Sequence, residues 1–326
     1  MEHSTTAESF RRHLGKECSE EDRRSHAVMA HELLEALKNG QSLDLLGVVI
    51  EGDLLLDQLP PMNLHEPPPA KIQEVLRGRP LTDLREIPGS IAIRDSVMRG
   101  AISTRLKAGF MLAKGPVTMT GTTFQSPVDF SRTAFFGPVD FSNAIFLREG
   151  FFIQAIFDQP ARFERTDFGT HTRFHRAVFG EHATFSRAGF NGLAELLEVS
   201  FEKGTSFSRA YFKMGTGFSG SRFSGDLDFS EALFEREVYF LFSIFEKDAS
   251  FRRSTFRSQA DFSDAQFKGV GDFANVSFKV DPNFTRTRMN GNPPRRDGLQ
   301  DPRLLYGIGA TVAVCMLLFV LVRRTR

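Results

Sequence analysis

Tryptophan is absent and tyrosine occurs only three times, against 35 phenylalanines in 326 residues. Phe carries no polar handle, so this aromatic set suits burial rather than wet interfaces. Cysteine is scarce as well. Cys18 and Cys315 stand far apart and match no metal or redox spacing, which excludes a disulfide framework. An excess of one charge is also missing: 41 Lys+Arg against 40 Asp+Glu leave a formal net of +1. The chain as a whole is therefore not an obvious nucleic-acid binder. Residues 1–40 contain no apolar core of a signal peptide.

What is there is a clock. Thirty positions from Phe124 to Phe284 are separated by alternating gaps of six and five residues, and Leu196 is the one that is not Phe. A helix does not fit, since at 3.6 residues per turn a five-residue step turns the next Phe about 140° away. Gly and Asp-Phe-Ser turns stud the segment and disfavour helix as well. The fitting solution is a coiled strand with one Phe at the centre of each short side, four sides of 5, 6, 5 and 6 residues making a rung of 22. Ala144, Ala155, Ala177, Ala188, Ala210, Ala232 and Ala265 lie two residues before a Phe. Side chains alternate across a strand, so these small groups also point inward and fill a narrow tube.

Stretches such as Asp140-Phe-Ser-Asn-Ala-Ile-Phe146 and Asp228-Phe-Ser-Glu-Ala-Leu-Phe234 resemble pentapeptide-repeat proteins. The resemblance covers at least residues 119–284 and implies an all-β solenoid, a right-handed quadrilateral parallel β-helix. The family's usual period is five, whereas this chain alternates five and six. The extra residue is expected to loosen two corners of each rung, as a bulge does.

Counting back from Phe124 by the same gaps gives Met119, Ala113, Ala108, Ile102, Val97 and Ile91, all apolar, and Leu43, Val48, Leu54 and Leu59 repeat the spacing. The β-helix is thus expected over 42–284, in about ten rungs and roughly 45–50 Å at ~4.8 Å per rung. A Pro-rich stretch from Pro60 to Arg85 reads as an excursion after the first rung. Residues 1–41 form an N-terminal segment, with 1–17 loose and one helix over 19–39 capping the tube. Ser19 and Asp22 suit its start, Met29, Leu33, Ala36 and Leu37 share a face, and Gly40 ends it. Residues 285–302 are a polar linker that carries no capping helix.

Leu304 to Val322 is uncharged for 19 residues and flanked by Arg303 and Arg323. As a helix it spans roughly 28 Å, close to the ~30 Å hydrocarbon core. A transmembrane helix over 303–323 with a basic tail at 324–326 is expected, making a single-pass protein anchored near its C-terminus with the large domain on the cytoplasmic side. Gly309 and Ala313 form a small-xxx-small pair that suits homodimer contact within the membrane.

Chemistry is sparse. The inward positions are filled, the rungs keep strict length, and no paired carboxylates, phosphate loop or nucleophile set appears; neither enzyme activity nor a cofactor is expected. His171, His175 and His182 are the best metal suggestion, but their register places them on different faces, so no metal is expected. Some pentapeptide-repeat proteins mimic DNA and bind topoisomerases. Residues 120–290 contain 21 acidic against 20 basic side chains, a net of −1, too near neutral for that role. No nucleic acid is expected as a partner.

The register also sorts the surface. One face carries Asp140/Ser142, Arg162/Glu164, Thr184/Ser186, Ser206/Ser208, Asp228/Ser230 and Ser250/Arg252, polar throughout. Its opposite carries Phe151, Ile153, Leu197, Tyr239 and Leu241, which together make the candidate protein-docking face. The reading is a membrane-anchored, non-catalytic scaffold or interaction surface, with a purely structural spacer as the alternative.

Overall fold

The computed structural model describes residues 9–63, 67–106 and 108–289. The chain winds as a parallel β-solenoid whose four sides hold 11, 11, 9 and 10 strands, so the expected four-sided β-helix is borne out. One rung runs Val139–Asp140, Ile145–Phe146, Gly150–Phe151 and Ile156–Phe157, taken here as the first to fourth sides. From Gly109 onward successive strands on a side pair 22 residues apart, as Val139 with Ala161 and Phe157 with Phe179, whereas earlier steps are longer, as from Leu43 to Ile91. Backbone groups of strands this short are satisfied between rungs rather than within one.

Each side contributes one column of Phe rings. On the first side Phe163–Phe185 and Phe185–Phe207 stack at 4.8 and 4.7 Å with planes 3° apart. Opposite columns meet edge to face: Phe163 and Phe174 lie 5.6 Å apart at 85°. Such pairs add about 0.5–1.5 kcal/mol each beyond the burial of their area. The seven alanines predicted to point inward are all buried. Where a hydroxyl replaces Ala, it donates to a central carbonyl, that of its own rung for Ser254 and more often that of the rung before. Thr166 Oγ1 bonds Phe141 O at 2.8 Å and Ser243 Oγ bonds Phe218 O at 2.9 Å, so these polar groups are buried with partners.

The corners are of two kinds. Five-residue corners, first to second side and third to fourth, are tight turns closed by bonds such as Ala144 N to Phe141 O at 2.9 Å. Their third residue has positive φ, as in Asn143 (58°), Gln154 (56°), Arg176 (54°) and Arg187 (59°). That conformation costs a non-glycine residue about 1–2 kcal/mol. It is held because the same residue bonds the next rung, as Asn143 N does to Glu164 O at 2.8 Å. The six-residue corners use their extra residue to turn without any such conformation.

At the N-terminal end three expectations are corrected. Residues 1–17 are not all loose, because Ser9–His13 (β1) pairs with Ser42–Leu46 and adds a rung, giving eleven where about ten were expected. The single helix over 19–39 is two, Glu20–Ser25 (α1) and Ala30–Lys38 (α2), split where Val28 and Met29 pair with Ile50 and Glu51. Pairing with the sheet edge outweighs helix continuation there, and Met29 turns outward, 40% exposed. Ser19 and Asp22 do form the capping box of α1. Helix α2 covers the open end with Leu33 and Leu37, both fully buried. Gly40, at φ 78°, and Gln41 close it with bonds to Leu37 O and Ala36 O.

The excursion is shorter than 60–85, since Asp83–Ile87 is already a strand of the fourth side. It holds a helix, Ala70–Leu76 (α3), that lies over the outside of that side. Ile72, Leu84, Phe110, Leu112, Ala134 and Ile156 form a second buried cluster there, separate from the tube. Lys71 Nζ fixes the helix to Asp158 at 2.7 Å and to Glu202 at 3.7 Å.

Counting back also slips. Ala113 pairs with Phe135, and the preceding central position is Thr104, nine residues earlier rather than five. Four residues are inserted at this corner, so Ala108 is exposed and Val97 half-buried, while Met98 and Ile93 occupy the centre. At the far end Arg288–Met289 pairs with Gln266–Phe267, so the β-helix extends past 284 into the expected linker. The expected span at 303–323, with Gly309 and Ala313, lies outside the described residues. Among the described residues no helix is long and apolar enough to cross a membrane.

Candidate interaction face

Outward residues of the third side flank each central position: Asp129/Ser131, Phe151/Ile153, Arg173/His175, Glu195/Leu197, Gly217/Ser219 and Tyr239/Leu241. The four-residue insertion raises Arg105 and Leu106 beside this side. With Asp129, Phe151, Ile153 and Arg173 they line a recess of about 650 Å³. A second recess of about 270 Å³ shares Ile153 and Gln154 with the first. It continues to Leu197 and is walled by Arg79, from the end of the excursion. Together they form one groove with an apolar floor of Phe151, Ile153 and Leu197.

Its rim is charged. The Arg173 guanidinium lies 5.7 Å from the Phe151 ring centre, a cation–π distance, and its Nε donates to Glu195 at 2.6 Å. His171 Nε2 approaches the same carboxylate at 2.7 Å. Burial opposes ionisation of Glu195, but the bonds from His171 and Arg173 outweigh it and hold its pKa below the ordinary value. His175 goes the other way, because burial disfavours its charged form and lowers its pKa. Arg176 Nε donates to Glu198 at 2.9 Å, and that bond lowers the Glu198 pKa.

The structure brings Phe151, Ile153 and Leu197 together. Tyr239 and Leu241 stand two rungs beyond Leu197, across Gly217 and Ser219. Beside them is Phe242, 62% exposed at a positive-φ corner. Sequence reasoning considered only the residues flanking each centre and so missed Phe242, along with Arg79 and Arg105, which arrive from insertions. A signal was present: Phe136, Phe151 and Phe242 are the phenylalanines of 124–284 that keep no time with the clock. Phe136 packs under the excursion and Phe151 lies beneath Arg173, while Phe242 is left bare. Ile145 and Leu147 on the second side are exposed as well.

The histidines need one correction. His171 and His175 share the third side, since the strand His171–Arg173 leads directly into Phe174, whereas His182 stands elsewhere, largely exposed. Among the described residues no group of three or more His, Cys, Asp or Glu is arranged to hold a metal.

A four-sided tube of stacked rings wound from a 22-residue repeat defines a solenoid repeat protein. Residues 207–255 match the family model of pentapeptide repeats in nine copies. The same register runs on both sides of that segment, through the whole four-sided β-solenoid. No curated protein and no solved structure matches it.

Proposed function

We propose that this solenoid is a non-catalytic scaffold that docks a protein partner along its third side and is held at a membrane by residues 303–323. The groove floored by Phe151, Ile153 and Leu197 carries the reading. It is the place where an off-register aromatic, an inserted corner and the end of the excursion converge. The Arg79, Arg105 and Arg173 rim selects a partner that presents an apolar side chain flanked by carboxylates. Tyr239, Leu241 and Phe242 extend the contact about 20 Å along the tube, four rungs from Phe151 at ~4.8 Å each.

A photo-crosslinking residue placed at Leu197 in the full-length chain, in its own cells, tests the docking face. A discrete crosslinked protein is expected, lost when Phe151→Ser and Tyr239→Ser are combined in a chain whose circular dichroism is unchanged. Equal crosslinking from Asp228 on the polar face, or no loss in the double variant, overturns it. Anchoring is tested separately: the full chain resists alkaline extraction from membranes, and a Leu318→Arg variant is released. Digestion of the solenoid by protease added to intact spheroplasts overturns the cytoplasmic placement.

A further inference from the structure

The two tight corners of the tube are built alike but charged differently. Their positive-φ residues stack one rung apart, about 4.8 Å. Along the third-to-fourth corner they are paired, Arg176 with Glu198 at 2.9 Å and Asp264 with Arg286 at 2.6 Å. Along the first-to-second corner three arginines follow one another, Arg165, Arg187 and Arg209. Arg209 is bonded to Glu231 at 2.9 Å. Arg165 and Arg187 have no carboxylate partner among the described residues. Like charges stacked on neighbouring strands repel, and nothing in the repeat demands them there.

The floor beside them is altered to match. On the first side the residue before the central Phe is Asp in three of seven rungs, Arg162 in one and Thr184, Ser206 or Ser250 in the others, and where it is Asp its carboxylate accepts from the backbone N–H two residues on. Asp140, Asp228 and Asp272 do so at 2.8, 2.8 and 3.0 Å. In the rungs of Arg187 and Arg209 a hydroxyl stands there instead. Thr184 Oγ1 and Ser206 Oγ accept the same backbone bond at 3.4 and 3.2 Å. The turn keeps its bond and loses its negative charge. Ser186 and Ser208 stand beside these groups, with Ser186 Oγ 2.9 Å from Ser206 Oγ. A recess of about 350 Å³ results, with Ser186, Arg187, Ser208 and Arg209 at its middle, Glu164 and Arg165 at one end and Ser230 and Glu231 at the other.

We propose that this corner binds a phosphate group. Guanidinium forks match the geometry of phosphate oxygens, and serine hydroxyls donate to the remaining ones. A tetrahedral dianion seated over Ser186 and Ser208 relieves the repulsion between Arg165 and Arg187. The site lies on a different corner from the docking groove and does not depend on it. Free phosphate and a phosphate monoester carried on a larger molecule share this chemistry.

Isothermal titration of the full-length protein with inorganic phosphate, and separately with phenyl phosphate, is run at ionic strength fixed by chloride. Saturable one-to-one binding is expected, weakened tenfold or more by Arg187→Gln and by Arg165→Gln. Gln154 shows that glutamine is accommodated at such a corner. Arg176→Gln, at the paired corner, changes affinity less than twofold. Equal affinity for both probes supports the free ion as ligand, and tighter phenyl phosphate supports an esterified one. Binding no stronger than a chloride control, or unchanged in both arginine variants, overturns the proposal.

Discussion

The Ser221 hydroxyl closes a turn in the rung before its own: Ser221 Oγ donates to Leu196 O at 2.7 Å and accepts from Val199 N at 3.0 Å. In neighbouring rungs the equivalent turn is closed directly, as by Ala177 N to Phe174 O at 3.0 Å. Ser221→Ala therefore removes the partner of a buried N–H and a buried carbonyl, a loss of about 1–3 kcal/mol. Ser243→Ala costs less, because Phe218 O keeps its bond from Ser221 N at 3.1 Å. Urea unfolding of the two variants measures the difference.

Leu196 is also where the third column changes volume. Val199 stands where the adjacent rungs carry Ala177 and Ser221, so a smaller central residue is matched by a larger flanking one, and both are buried. Restoring the clock with Leu196→Phe alone overpacks the rung and destabilises it by about 1–3 kcal/mol. Leu196→Phe with Val199→Ala recovers most of that loss. A double-mutant cycle on unfolding midpoints gives the coupling.

Position along the tube sets the cost of losing a ring. Phe207 is fully buried between Phe185 and Phe229, at 4.7 Å from each. Phe207→Ala is expected to cost about 3–5 kcal/mol. Phe284 stacks on Phe262 at 5.1 Å but has only the last described residues beyond it and is partly exposed. Phe284→Ala costs less, and calorimetry shows the smaller drop in Tm.

Lys71 ties the excursion to the fourth side. Burial disfavours its charge, but the bond it donates to Asp158 and the nearby Glu202 more than restore it and raise its pKa. Lys71→Gln removes the tie to Asp158 while leaving the tube's columns untouched. Amide exchange within 70–76 is expected to accelerate, with the backbone of Phe157 and Phe179 as protected as before. Hydrogen-exchange mass spectrometry separates the two regions.

His175 gives the groove a pH signature. Burial lowers its native pKa from 6.5, more than the nearby Glu195 and Glu198 raise it, and Arg173 and Arg176 lower it further. The unfolded chain takes up the proton first, so stability is full above 6.5 and falls as pH drops through 6.5 toward the native value. Glu195 and Glu198 stay ionised in that window, because their pKa values are depressed. The decline in Tm between pH 7.5 and 5.5 is expected to shrink in His175→Gln.

Much of the tube was legible because one large apolar residue recurs wherever a side needs a centre. Legibility ended where that demand relaxed. Thr104 fills a central position with a hydroxyl bonded to Thr133 at 2.8 Å, and the four residues after it are uncounted by any periodic pattern. The backward count therefore landed on Ala108 and Val97. Leu43, Val48 and Leu54 kept the right spacing but sit two residues before the centres Leu45, Ile50 and Leu56; either inward position accepts an aliphatic side chain when the core is not aromatic. The strand Ser9–His13 reads as a polar tail because an edge strand over a capped end buries little. Of the candidate face, the side was legible and the groove was not, since Arg79 and Arg105 reach it from segments outside the repeat.

The inserted corner between Thr104 and Ala113 has a consequence for how such a chain diversifies. Four residues enter there, yet Phe124 and Phe130 begin their two columns in phase with Met98 and Thr104 on the preceding turn. Winding resets at every circuit, so an added loop does not rotate the later rungs. Length and facial chemistry are separately variable: an added rung lengthens the rod, a corner loop reshapes one face, and neither disturbs the other.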